Sequence, residues 1–137
     1  WYNGAGADGV WFTVDDAVGY YDSYTYDANG NRTRVIVYNG AGADGVWFTV
    51  DDAVGYYDSY TYDANGNMTR SVWYNGAGAD GVWFTVDDAV SYYDSYTYDA
   101  NGNMTRYVYY NGAGADGVWF NGDDVVSGYS SYTYDAN

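Results

Sequence analysis

Runs of alternating aromatic and polar residues, broken by Asn-Gly pairs and Gly-rich stretches, recur along the whole chain. In the copy that begins at Tyr20, the run Tyr20-Tyr21-Asp22-Ser23-Tyr24-Thr25-Tyr26 has no helical period and predicts a strand. Asp27-Ala28-Asn29-Gly30-Asn31 predicts a turn, because Asn-Gly between two such runs is a strong hairpin signal. Residues 32–38 predict the returning strand. Residues 39–45 are too Gly-rich for regular structure. Residues 46–50, Val-Trp-Phe-Thr-Val, predict a short third strand or a buried plug, and residues 51–54 lead into the next hairpin. Each unit thus reads as one antiparallel hairpin plus one long loop carrying an apolar insert.

The unit is written almost four times. Tyr-Asn-Gly-Ala-Gly-Ala-Asp-Gly-Val-Trp-Phe starts at Tyr2, Tyr38, Tyr74 and Tyr110, each 36 positions after the last. A long fixed period marks an array of units, none of which buries its apolar face alone. The expectation is an all-β chain in which residues 1–137 form one continuous array, stacked into an elongated rod or fibre. Trp1 occupies the slot of Val37, and Asn137 is the counterpart of Asn29, inside a turn. The chain therefore reads as a window of a longer array without capping units.

Two hairpin registers fit the turn. A two-residue loop at Asn29-Gly30 sets Tyr24 opposite Val35. A three-residue loop with Gly30 as a bulge sets Asp27 opposite Asn31 and Tyr24 opposite Arg34, a stacking pair. The second is the reading adopted, since Arg34 persists as Arg70 and Arg106 while Arg32 becomes Met68 and Met104. Comparing the copies also assigns the faces. Ile36, Val72 and Val108 stay β-branched, as a packed position would. Val35, Ser71 and Tyr107 vary, as do Val37, Trp73 and Tyr109, so their face is given to solvent or to a tolerant contact between units. The Trp-Phe pairs at Trp11, Trp47, Trp83 and Trp119 recur unchanged, as a core plug or as a platform for sugar rings.

Composition narrows the function. Aromatic residues make up 23% of the chain, which argues against disorder. The 19 Gly and the many Asn, Asp and Thr disfavour helix. Net charge is −15, all 19 acids are Asp, and the cations are Arg32, Arg34, Arg70 and Arg106. This balance argues against nucleic acid and anionic membrane surfaces as partners, because both need a basic face. With neither Cys nor His, disulfides, zinc sites and the usual nucleophile–base pairs are absent. Paired carboxylates such as Asp15-Asp16 suit acid–base work on a glycoside, but identical active sites in every unit would be unusual, so no enzyme is expected.

The acidic loop is the candidate metal site. Asp8-Gly9, followed after five residues by Asp15-Asp16, recurs as Asp44-Gly45 with Asp51-Asp52, Asp80-Gly81 with Asp87-Asp88, and Asp116-Gly117 with Asp123-Asp124. The spacing copies the second half of a calcium loop, in which a turn Gly lets a last carboxylate close an oxygen cage. Calcium is the cofactor this predicts. The other reading is that the acids solvate the loop or cap its turns through backbone hydrogen bonds.

Tyr24-Thr25-Tyr26-Asp27-Ala28-Asn29-Gly30-Asn31-Arg32-Thr33 resembles the YD repeat of bacterial RHS proteins, Tyr-Asp-x-x-Gly-Asn-x-Thr, and recurs from Tyr62 and Tyr98. The resemblance covers under half of each unit. It implies consecutive hairpins in long sheets on secreted or cell-surface proteins, serving as a hollow shell or in adhesion and carbohydrate contact. The family's period is near twenty, so the longer unit here favours a rod at least as well as a shell. The same turn holds Asn-x-Thr, making Asn31, Asn67 and Asn103 glycosylation candidates. The function these readings imply is a structural, self-associating extracellular or cell-surface repeat protein of bacterial type, forming a fibre, stalk or surface layer with calcium stiffening its loops. The alternatives are an adhesin or carbohydrate-binding module whose exposed rings, Trp73 and Tyr109 among them, stack on glycans, and an RHS-like enclosing shell.

Overall fold

The computed structural model describes residues 1–135; the start of a fourth turn, at Ala136 and Asn137, lies outside them. The described residues form nine strands and no helix: β1 Tyr2–Gly4, β2 Ala17–Val18, β3 Tyr21–Tyr26, β4 Arg32–Gly40, β5 Ala53–Tyr62, β6 Met68–Gly76, β7 Ala89–Tyr98, β8 Met104–Gly112 and β9 Val125–Ser131. Strands β3 to β9 make one antiparallel sheet in chain order, and β1 and β2 pair separately. That small pair repeats the ends of β4 and β5 one period earlier: Tyr2 faces Val18 and Gly4 faces Ala17, as Tyr38 faces Val54 and Gly40 faces Ala53. The all-β expectation holds. Units join side by side through strand pairing, with every tight turn at one end of the sheet and every long loop at the other.

The strands run further than the pattern predicts. Irregular backbone was expected from Asn39, yet β4 continues to Gly40 and pairs with Ala53 across two irregular steps. Glycine permits this approach: a β-carbon on Gly40 would stand 3.2 Å from that of Ala53. The insert at residues 46–50 forms turns and no strand.

The tight turn corrects the adopted register. Asp27 does lie opposite Asn31, its N–H donating to the Asn31 carbonyl at 2.9 Å, and Gly30 has φ +85°. The three-residue loop is therefore right. But Tyr26 pairs with Arg32 and Thr25 with Arg34, so Thr33 is extra and bulges. The bulge slips the register back by one residue and sets Tyr24 opposite Val35, not Arg34. Tyr24 instead has Arg32 over its ring, at 5.8 Å. The same bulge follows each later turn.

The two faces differ as the copies suggest. Ile36, Tyr57, Val72, Tyr93 and Val108 share the buried face. The opposite face carries Val35, Ser71, Trp73, Tyr107 and Tyr109, with Val37 as its one buried member. On that open face, Tyr56 stacks on Trp73 at 4.3 Å, Trp73 on Tyr92 at 5.5 Å, and Tyr92 tilts against Tyr109 at 5.3 Å. Contacts at a constant offset tie consecutive hairpins: the hydroxyls of Tyr62, Tyr98 and Tyr134 each donate to the carbonyl 30 residues earlier, in Arg32, Met68 and Met104.

Candidate functional site

The acidic loop and the tyrosine beneath it form the most elaborate polar cluster. In residues 77–88, the Asp87 Oδ2 accepts the N–H of Ala79 at 2.8 Å and of Asp80 at 3.1 Å, and Oδ1 accepts the Thr85 hydroxyl at 2.7 Å. The Asp80 Oδ1 accepts the Val82 N–H at 2.7 Å. Asp88, a buried carboxylate, accepts the Phe84 N–H at 2.7 Å and the Tyr57 hydroxyl at 2.7 Å. Copy two repeats this with Asp51 on Ala43 and Asp44, Asp44 on Val46, and Asp52 on Phe48 and Tyr21. Copy four does so with Asp123 on Ala115 and Asp116, Asp116 on Val118, and Asp124 on Phe120 and Tyr93. Copy one has Asp15 on Ala7 and Asp8, Asp8 on Val10, and Asp16 on Phe12, without a tyrosine.

The loop backbone is wound tightly around these carboxylates. Phe12, Phe48, Phe84 and Phe120 all have φ near +70°, a region that a bulky residue occupies only when its surroundings hold it there. The hydrogen bond from the phenylalanine N–H supplies one restraint. The other is packing. Phe84 tilts on Tyr57 at 5.1 Å, Trp83 meets the same ring edge-on at 6.0 Å, and Tyr74 stacks on it at 4.3 Å. The Arg34 guanidinium lies 5.3 Å from the Tyr57 ring and 4.8 Å from that of Phe84. Arg70 sits in the same way between Tyr93 and Phe120. The second, third and fourth loops thus fold back over the hairpin before their own. The Trp-Phe insert is a plug over Tyr57 and its equivalents, and it stays partly exposed.

Gly78 marks where the loop crosses itself. It has φ +64°, and a β-carbon there would collide with the backbone carbonyl of Asp87. Gly81 has φ +69° but open space around it. Gly78→Ala is expected to destabilise by about 2 kcal/mol and Gly81→Ala by about 1 kcal/mol, since only the first adds a backbone clash to the left-handed strain. Urea midpoints of the two variants check the order.

Protonation follows from the hydrogen bonds. The Thr49 hydroxyl and the Asp44 N–H hold the Asp51 carboxyl below its ordinary value, as Thr13 and Thr85 do for Asp15 and Asp87. Burial pushes Asp52 up, but hydrogen bonds from Tyr21, Phe48 and Thr49 outweigh it and its net shift is downward. The side-chain amides of Asn31, Asn67 and Asn103 hold Asp27, Asp63 and Asp99 down. Burial, then the facing carboxylate, pushes the phenols of Tyr21, Tyr57 and Tyr93 up, and Tyr60 rises to about 12, chiefly by burial.

A phenol whose folded value is raised stabilises the fold fully below its unfolded value near 10, and that stability is lost as pH rises toward the folded value. A depressed carboxyl stabilises above its unfolded value near 4 and is lost as pH falls below it. Stability is therefore expected to be flat between about pH 5 and pH 9 and to fall on both sides. On the alkaline side, phenolate absorbance of the folded chain should lag that of the urea-unfolded chain at equal pH. Coincident curves would contradict the tyrosine–aspartate pairing.

As placed, the loop acids turn their oxygens to N–H and O–H donors of the chain itself, and among the described residues no three carboxylates converge. Asn31, Asn67 and Asn103 each turn Nδ2 onto the turn aspartate, at 2.9, 3.0 and 3.0 Å. Sequence reasoning found the acids and the Trp-Phe pairs but missed the tyrosine that joins them. The signal was present, since the residues at 21, 57, 93 and 129 are all Tyr.

No family model matches the chain, and no curated protein matches it. Among solved structures, it is similar to a DUF3836 family protein from Bacteroides vulgatus, with TM-score 0.52 and 14% identity over 80% of this chain and 91% of that one. A protein of unknown function from Bacteroides fragilis gives TM-score 0.38 and 10% identity over 82% and 91%. The first likeness extends to the antiparallel fold alone.

Proposed function

We propose that this chain is a structural repeat segment whose units add side by side into an elongated array of fibre, stalk or surface-layer type. One observation carries the reading. The phenylalanine of the loop is 98% exposed in copy one, 63% in copy two, and 39% in copies three and four. Among the described residues no hairpin lies under Phe12, Phe48 meets Tyr21 but no arginine, and Phe84 and Phe120 meet both a tyrosine and an arginine. The other half gives the reverse case: Tyr57 and Tyr93 are 4% exposed, but Tyr129, which no loop among the described residues covers, is 68% exposed. Each unit completes the interior of its neighbour, which is the energetic design of a linear array.

The extracellular, bacterial setting rests on the absence of Cys and Lys and on the YD-like turn. Adhesion through sugar stacking is less well supported, because Tyr56, Trp73 and Tyr92 turn their ring faces on one another.

Chains of three to eight units test the proposal. Two strands per unit at about 4.8 Å each should lengthen the particle by roughly 10 Å per unit in small-angle scattering. Melting temperature should rise with unit number. A maximum dimension that stops growing would indicate a globule or closed shell and would defeat the proposal.

A further inference from the structure

The aromatic column on the open face has one gap. Trp73 stands between Tyr56 and Tyr92. One period earlier the corresponding residue is Val37, opposite Tyr56, with a side chain far shorter than an indole. A cleft of about 420 Å³ lies there, lined by Tyr20, Asp22, Val35, Val37, Tyr56 and Asp58 among others. That volume falls within the range of small-molecule sites.

A second difference falls at the same place. Asp94 receives two hydroxyls, from Ser71 at 3.2 Å and Tyr107 at 2.8 Å. Its counterpart Asp58 faces Val35 where Asp94 faces Ser71, and it receives the Tyr60 hydroxyl at 3.4 Å. Asp22 receives the Tyr24 hydroxyl at 3.2 Å. Compared with its twin one unit later, the cleft lacks an intercalated ring, and its inner carboxylate Asp58 has one hydroxyl donor, at 3.4 Å, where Asp94 has two. The twin displays what would fill it: an indole.

We propose that this cleft binds one flat aromatic group bearing a protonated amine, an arylalkylammonium, with its ring between Tyr20 and Tyr56 and its charge against Asp22 and Asp58. The ring alone would leave Asp58 with only the long bond from Tyr60, one donor short of Asp94. An aromatic anion would meet two carboxylates on a chain of net charge −15.

Tryptamine is the probe, with indole-3-acetate and neutral indole as its controls, titrated into the full chain by calorimetry and by amide NMR. Saturable tryptamine binding is expected, with shifts centred on residues 19–22, 35–39 and 56–58, and indole-3-acetate weaker by about tenfold or more. Val37→Trp should abolish binding while keeping the fold, because Trp73 already occupies the same position one unit later. Asp58→Asn should weaken tryptamine by about fivefold and leave indole within about twofold, because only the cation uses that carboxylate. Absence of saturable uptake by about 5 mM, equal affinity for the amine and the acid, or binding unchanged in Val37→Trp would each overturn the proposal.

Discussion

Tyr93→Ala is expected to destabilise the chain by about 4 kcal/mol, while the same change at Tyr129 costs under about 1 kcal/mol. The two residues hold the same position in consecutive units, so local strand propensity cancels between them. What differs is the covering loop. Tyr93 stacks on Tyr110 at 4.3 Å, meets Trp119 at 6.0 Å and Phe120 at 5.1 Å, lies under Arg70 at 5.6 Å, and donates to Asp124 at 2.7 Å. Tyr129 has Arg106 over its ring at 5.9 Å and is mostly in solvent. Removing the Tyr93 ring empties a site walled by three aromatic groups that cannot collapse into it, because Phe120 is held by its own backbone bond to Asp124. Urea unfolding followed by tryptophan emission would measure both variants. Equal costs at the two positions would mean that the loop contributes little and that each hairpin stands on its own.

Much of this arrangement was legible in the residues, and the rest was hidden for physical reasons. Strand, turn and loop follow from aromatic alternation, Asn-Gly and the Gly-rich stretch, which act locally. The buried row of Ile36, Val72 and Val108 was readable because three copies serve as an internal substitution record. The register was misread because the bulge at Thr33 carries no residue signature of its own: the Thr25 and Thr33 hydroxyls meet at 3.0 Å across it, a contact that alternation does not encode. The bond that ties the loop to the preceding hairpin was hidden for a different reason. The Asp-Gly spacing resembles a calcium loop because both need a carboxylate to fold back on a tight turn. In a calcium loop the carboxylate meets a cation, and here it meets N–H groups. The Tyr57 to Asp88 bond spans 31 residues and joins separate units, so no local pattern announces it.

The loop carboxylates allow the coupling between units to be measured directly. Asp88→Ala should cost about 3 kcal/mol, and Asp16→Ala about 1 kcal/mol. Both residues accept the phenylalanine N–H at 2.7 Å, from Phe84 and Phe12. Only Asp88 also accepts a tyrosine from the preceding hairpin, and it is the more deeply buried of the two. Its loss would strand the Tyr57 hydroxyl and the Phe84 N–H under the plug, each at about 1–3 kcal/mol, offset in part because a buried charge no longer has to be desolvated. In copy one, water replaces the lost acceptor, since Phe12 is 98% exposed and covers nothing. Asp88→Asn should fall between wild type and alanine: the amide oxygen still accepts the Phe84 N–H but without the charge that strengthens the bond. In Asp88→Ala the Tyr57 phenol should also ionise at lower pH than in the wild type, because the carboxylate that opposes phenolate formation is gone. A uniform cost in both copies, with Tyr57 ionisation unmoved, would show that the carboxylate serves its own loop alone and that neighbouring units are not coupled through it.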